Sequence, residues 1–298
     1  KNYYQEDIYI GYRYFETFNQ ANVLFPFGYG LSYTDFEIKC KDAKLLEHND
    51  SPSIQIEVNV KNIGTEYEGK EVVQIYFEAP QGQLGKPSKS LIAFSKTEAL
   101  KPGESQLLTL EFPVSDMASY DDGGYTGHKS CYVLETGDYR IFAGNSVRHL
   151  NPVTIEGKDT YHIDELRVVK QLEEVLAPTE TFTRMKPGEP NNNGLYELTY
   201  VDVPKQTVNL AERIHHNLPE TIIQTGNRGI QLKDVYEKRA EMKDFIAQLT
   251  DHELAVIVRG AGMSSPKVTP GTASAFGGVS DSLLSYGIPV ASCADGPS

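Results

Sequence analysis

Between residues 36 and 156 the chain alternates apolar and polar positions in short runs, each closed by turn residues. Ile54, Ile56, Val58 and Val60 alternate with polar neighbours in SIQIEVNVKN, the period of two that predicts a half-buried strand. Val73, Ile75 and Phe77 repeat the pattern in EVVQIYFEAP. Leu108, Leu110 and Phe112 do so in QLLTLEF, and Tyr139, Ile141 and Ala143 in GDYRIFAG. Asn62-Ile63-Gly64, Pro102-Gly103, Asp122-Gly123-Gly124 and Gly137-Asp138 supply turn chemistry between them. Several short strands at this rhythm predict a β-sandwich of roughly 100 residues. The chain contains no Trp, so the Cys–Trp–Cys signature of antibody domains is excluded and a fibronectin-III-like sandwich remains.

The flanks follow other patterns. Residues 1–35 are rich in Tyr and Phe and predict one short strand or turn with a tail, too little chain to close a core. Within NVLFPFGYGLSYTDF, Phe25, Phe27, Tyr29, Leu31 and Tyr33 alternate with smaller residues, which suits a chain lying extended across another surface. Gly28 and Gly30 there allow positive φ or close backbone approach, and Pro26 blocks a helix. Further on, Ile163, Leu166, Val169, Leu172, Val175 and Leu176 recur at helical spacing before Pro178 and predict a helix. MKPGEPNNNGLYEL reads as a loop or mobile linker, and VNLAERIHHNLP as a second short helix.

From residue 243 the character changes again. Thr250 and Glu253 form an S/T-x-x-E capping box opening the helix DHELAVIVRG, with Gly260 as its stop. A Gly/Ser/Pro loop, a helical piece in VSDSLLSYG and a short apolar strand in IPVASCADGPS follow. Helix, strand and a carboxylate just past the strand is how the first unit of an α/β barrel begins.

A length of 298 residues accommodates about two domains. The net charge of -13 argues against nucleic acid as a partner. No apolar run approaches the ~20 residues of a membrane span. Cys40, Cys131 and Cys293 lie far apart with no CxxC spacing, which argues against a zinc site or disulfide framework and points to reducing, cytoplasmic surroundings.

Taken together, these segments resemble glycoside hydrolase family 3, the family of many β-glucosidases and β-xylosidases. The phrases carrying the resemblance are DIYIGYRYFETF, LFPFGYGLSYTDF, VNVKNIG, GKEVVQIYFEAP, KSLIAF, LKPGE, GDYRIFAG and IPVASCADGPS. The resemblance implies a mainly β chain with four parts. Residues 1–35 are the C-terminal end of an α/β/α sandwich domain, and residues 36–156 the fibronectin-III-like domain. A helical and loop linker occupies 157–242, and 243–298 start a (β/α)8 barrel domain. That is the family's inverted domain order, and both ends look cut, so the chain reads as an internal fragment.

The chemistry implied is retaining hydrolysis of terminal β-linked sugars through a covalent glycosyl-enzyme, with no metal or cofactor. In the family the nucleophilic aspartate lies late in the barrel and the acid/base glutamate usually in the α/β/α domain. Neither stretch is among these residues, so no catalytic residue is assigned to this chain and it is expected to be inactive alone. Asp295, in the DGP phrase, is the one substrate-binding residue the resemblance assigns. An ionised carboxylate there can accept hydrogen bonds from two sugar hydroxyls.

The remaining candidates read as structural. Asp121-Asp122 and Glu173-Glu174 are expected on solvated surface, since adjacent carboxylates do not face one another. His215-His216 reads as a polar helix face rather than a metal site, Arg13 and Glu16 as a local ion pair or a structural pair rather than the lining of a sugar site, and the Tyr residues mostly as packing. The partners implied are a β-glucoside or related oligosaccharide and the remaining domains of the same enzyme, with a homo-oligomer left open. The alternative is a non-catalytic fibronectin-like scaffold that binds complementary domains. A carbohydrate-binding module is disfavoured by the missing Trp.

Overall fold

The computed structural model describes residues 2–47, 52–174, 176–263, 265–269 and 271–296. It divides into two compact units, Lys1–Val208 and Asn209–Ser298.

The first unit is built on the alternating strands. Strands β1 (Phe36–Leu46), β2 (Ser53–Asn62) and β5 (Ser105–Pro113) form one antiparallel sheet in the order β1-β2-β5. A second sheet runs β10-β8-β3-β4, with β3 at Val72–Glu78, β4 at Ser90–Lys96, β8 at Gly137–Gly144 and β10 at Tyr161–Ile163. Strand β9 (Leu150–Val153) also pairs with β8. Ile54, Ile56, Val58 and Val60 of β2 are fully buried and share one core with Val73, Ile75, Tyr139 and Ile141 of the facing sheet. The period of two therefore puts every second side chain of each strand into the same layer.

A smaller sheet, β11-β7-β6, joins Arg167–Gln171 (β11), Cys131–Leu134 (β7) and Ser119–Asp121 (β6). The turn at Asn62 shows why that phrase is needed. Asn62 is fully buried, and its amide donates to the carbonyls of Tyr67 and Leu100 at 2.9 and 2.8 Å. Its oxygen accepts from the Thr34 hydroxyl and the Gly64 N–H at 2.6 and 3.0 Å. Both donors and both acceptor sites of the amide are filled. A Cβ at Gly64 would lie 2.1 Å from Thr34 Oγ1.

Three expectations fail here. The helix predicted over Ile163–Leu176 is absent. Ile163 ends β10 and is fully buried, and Arg167–Gln171 is a strand; Val175 lies outside the described residues. The apolar spacing of three was met by two separate strands, and the β-branched pair Val168-Val169 favours the extended form. The stretch read as a linker is a hairpin of β12 (Thr183–Pro190) and β13 (Tyr196–Asp202). Its Asn-rich turn is built on the Asn191 side chain, which accepts from the N–H groups of Asn193 and Leu195, with Gly194 at φ +76°. Pro187 and Pro190 are tolerated because the hairpin is only two strands wide. Finally, the amino-terminal arm carries a helix, α1 (Tyr12–Phe18), not a strand. It binds the sandwich through Tyr12, whose hydroxyl accepts from Leu91 N–H and whose ring meets Tyr76 edge-on at 5.9 Å.

The segment 23–35 contains no helix or strand, as expected of an extended junction. Gly28, at φ +90°, passes so close to Asn145 and Ser146 that a Cβ would sit 2.6 Å from a carbonyl oxygen. Leu24, Phe25, Tyr29, Leu31 and Tyr33 remain at least half exposed.

The second unit holds helices α2 (Leu210–His216), α3 (Leu232–Tyr236), α4 (Met242–Ala247), α5 (Asp251–Arg259) and α6 (Asp281–Ser285). Its strands β14 (Ala261–Gly262), β15 (Thr272–Gly277) and β16 (Val290–Ala294) form an antiparallel sheet. The capping box is present in full: Thr250 accepts from Glu253 N–H while Glu253 accepts from Thr250 N–H. Gly260 caps the helix at φ +67°. Phe245, Leu249 and Tyr286 form the core, with Leu254, Ile257 and Ile288 packed against it. Strand β15 falls in what reads as a Gly/Ser/Pro loop, because TASAFG has too few large apolar residues to signal a strand.

Candidate functional site: a strand end and a polar cleft

Two places in the chain carry concentrated polar chemistry, one in each unit. In the second unit the predicted strand is β16, and Asp295 stands directly after it, exposed, followed by Gly296 at φ +97°. The strand ends where the left-handed glycine turns the chain, so the exposed Asp295 is presented at a strand terminus. Pro297 and Ser298 lie outside the described residues.

In the first unit a cleft of about 510 Å³ opens between the amino-terminal arm, the sandwich and the β12–β13 hairpin. Its polar centre is Arg184 of β12. The guanidinium donates to both oxygens of Asp122 at 2.6 and 2.9 Å and pairs with Asp7 at 3.1 Å. Burial lifts the Asp7 carboxyl above its ordinary value against the pull of Arg184. Burial also opposes the charge on Arg184, but Asp122 and Asp7 outweigh it and hold the guanidinium protonated. Arg184 thereby ties three segments together: the arm, the β6–β7 loop and the hairpin. A bidentate guanidinium fork is suited to fixing planar carboxylates in one geometry.

Beneath one wall of the cleft Lys86 and Glu135 form an almost wholly buried ion pair, at 4% and 7% side-chain exposure. Glu135 also accepts from the N–H groups of Gln83 and Leu84, and Lys86 donates to the Gln81 carbonyl. Burial depresses the Lys86 pKa despite its partner. Tyr120 and Tyr132 line the cleft from neighbouring strands, directly opposite in register with rings 5.2 Å apart.

Several carboxylates expected on solvated surface are not there. Asp121 is fully buried and accepts from the N–H groups of Gly124, Tyr125 and Thr126 and from the Thr126 hydroxyl. Burial would raise its pKa, but these four donors hold it low. Asp122 is in the Arg184 clamp. Glu174 accepts from Thr207 and Val208 N–H and pairs with Lys129 at 2.5 Å. Lys129 first, and then the Thr207 N–H, hold its carboxyl down to about 2. Within the Asp pair the two carboxylates do diverge, as expected: Asp121 is held by its own following turn and Asp122 by Arg184 of a distant strand.

Glu16 is structural as anticipated, but its cation is Arg148 at 2.9 Å and not Arg13. Arg13 lines the cleft. His215 and His216 are exposed on α2, where His216 Nδ1 lies 2.8 Å from the Glu212 carbonyl. Sequence reasoning missed the Arg184 clamp, the Lys86–Glu135 pair and the Glu16–Arg148 pair altogether. Their members stand some 50 to 180 residues apart, and no local spacing signals such pairings.

Comparison with known proteins agrees with this architecture. A fibronectin type III-like domain matches residues 71–147. A β-glucosidase from Ruminococcus albus is 46% identical over 99% of this chain, which covers 29% of that protein. β-Glucosidase A from Butyrivibrio fibrisolvens is 37% identical over 99% of the chain, covering 37% of its length. The crystal structure of a β-glucosidase from Paenibacillus barengoltzii superposes on the whole chain with a TM-score of 0.94 at 60% identity, and the chain covers 32% of it. The fold and these matches define a chain built around a fibronectin-III-like sandwich and similar to one part of β-glucosidases. This chain is similar along its whole length to these proteins, and it spans about a third of their length.

Proposed function

We propose that this chain is the non-catalytic middle of a retaining β-glycosidase that hydrolyses terminal β-linked sugars, most plainly β-glucosides. The observation that carries the reading is the end-to-end match to the Paenibacillus barengoltzii β-glucosidase, at 60% identity over 100% of this chain but 32% of that one. In this reading residues 1–35 close an α/β/α domain, the sandwich holds it in place, and residues 243–298 open a barrel domain. Asp295 accepts hydrogen bonds from substrate hydroxyls, while the nucleophile and the acid/base belong to stretches outside the chain. A hydrolysis that needs two carboxyl groups in fixed opposition does not proceed on one exposed aspartate.

A second reading is favoured by one observation. Leu24, Leu31 and Tyr33 are each about nine-tenths exposed in a single extended run. Apolar area of this kind is what a docking segment presents, so the sandwich with its arm also serves as a scaffold for the remaining domains.

The test is hydrolysis of a chromogenic β-glucoside by pure material whose mass is verified at 33.2 kDa. No release above the uncatalysed rate is the expected result. Turnover by that material, abolished by Asp295→Ala, would overturn the assignment of a non-catalytic role.

A further inference from the structure

The cleft of the first unit is not accounted for by the reading above, and its composition is specific. Its volume of about 510 Å³ falls in the range of small-ligand sites. Its walls combine two kinds of surface. One is the Tyr120–Tyr132 pair, each residue 40% exposed and the two held opposite each other by the β6–β7 pairing. A tyrosine presents a flat apolar face with a hydroxyl at its edge, so the pair forms a platform with hydrogen-bonding rims. The other surface is charged with both signs. Arg13, Lys186 and Arg184 line the cleft together with Asp7, Asp116 and Asp122.

That balance selects the ligand. Lys86 also lines the cleft, but its charge is matched by Glu135 behind the wall. Of the rest, an anion meets three carboxylates and a cation three positive groups, so neither is drawn in by net charge. A neutral molecule rich in hydroxyls can donate to the carboxylates and accept from the arginines at once, laying a C–H face on the tyrosines. The polar groups are fixed beforehand, because the Arg184 clamp is complete without a ligand, and little ordering remains to oppose binding.

We propose that this cleft binds a neutral saccharide of two or three sugar units, stacked on Tyr120 and Tyr132 and hydrogen-bonded by the charged rim. The residues concerned lie between 7 and 186, in the first unit, so the proposal stands or falls separately from the role of Asp295.

The full chain, ¹⁵N-labelled, is titrated with cellobiose and cellotriose, with a glucuronate and a glucosamine disaccharide as charged comparators. Saturable shifts confined to amides of β6, β7 and β12 are expected with the neutral sugars. Tyr132→Ala and Tyr120→Ala should each weaken binding by about tenfold, the loss of one aromatic face, while Tyr132→Phe should retain it. Each variant must keep the wild-type amide spectrum outside the cleft. Where Tyr132→Ala fails that check, Tyr120→Ala carries the test. Absence of saturable shifts, shifts centred on Asp295, equal affinity in the Ala variants, or preference for a charged sugar would each overturn the proposal.

Discussion

Replacing Lys86 by Met removes the cation from a carboxylate that stays buried. Glu135, at 7% side-chain exposure, would keep only the Gln83 N–H at 2.6 Å and the longer Leu84 N–H at 3.4 Å. Stripping one partner from a buried pair costs about 3–5 kcal/mol, since the other charge is left uncompensated. The Gln81 carbonyl also loses its bond from Lys86 Nζ. The two hydrogen bonds between the Gln81 side chain and the Lys86 backbone survive, because they do not involve the lysine side chain.

The assay is native-state amide exchange of the core strands β2 and β8, which reports the first unit apart from the second. A loss of about 3–5 kcal/mol speeds their exchange by roughly two to four orders of magnitude. The double variant Lys86→Met/Glu135→Leu makes the reasoning sharper. A buried ion pair can often be replaced by apolar residues at no cost. Here that exchange strands the N–H groups of Gln83 and Leu84, at about 1–3 kcal/mol each, so the double variant should recover only part of the loss. Exchange less than about tenfold faster in the single variant, or full recovery in the double, would refute the argument.

Two further outcomes are expected. Gly28→Ala should destabilise the first unit by more than about 1 kcal/mol, because the residue sits at φ +90° and its Cβ would strike the Asn145 carbonyl. The Val147 amide, bonded to the Phe27 carbonyl, should lose protection first, and unchanged protection there would count against the steric account. For Glu174, the folded carboxyl titrates near 2 against an ordinary 4.5, so the folded state binds fewer protons across that interval. Its contribution is complete above pH 4.5 and is lost as pH falls toward 2. Glu174→Gln should therefore flatten the acid limb of the stability curve between those values, and an unaltered limb would show that the Lys129–Thr207 contacts do not form in solution.

The strands were legible wherever one face of a segment meets a core, because that geometry writes a period of two into the residues themselves. Ile54 to Val60 show it at full strength, and the helix α5 announces its start through Thr250 and Glu253, two residues three apart that bond each other's backbone N–H. The segment Ile163–Leu176 misled because a spacing of three is shared by one helix and by two strands with a bend between them. Pairing with β8 and β7 decided the matter, and those strands lie earlier in the chain. The Asn-rich turn of the hairpin looked like a linker, since turn residues are the same whether the flanking chain is paired or free.

The sequence by itself determined the sandwich, its turns, the capped helix and the short strand before Asp295, all products of forces acting within a few residues or across a repeated pattern. Tertiary structure alone decided the cleft: which carboxylate meets which cation, and which tyrosines stay exposed. Asp7, Asp122 and Arg184 are brought together only when the arm, a sandwich loop and the hairpin converge. Coulomb attraction and desolvation depend on distance in space, and a linear chain does not record that distance.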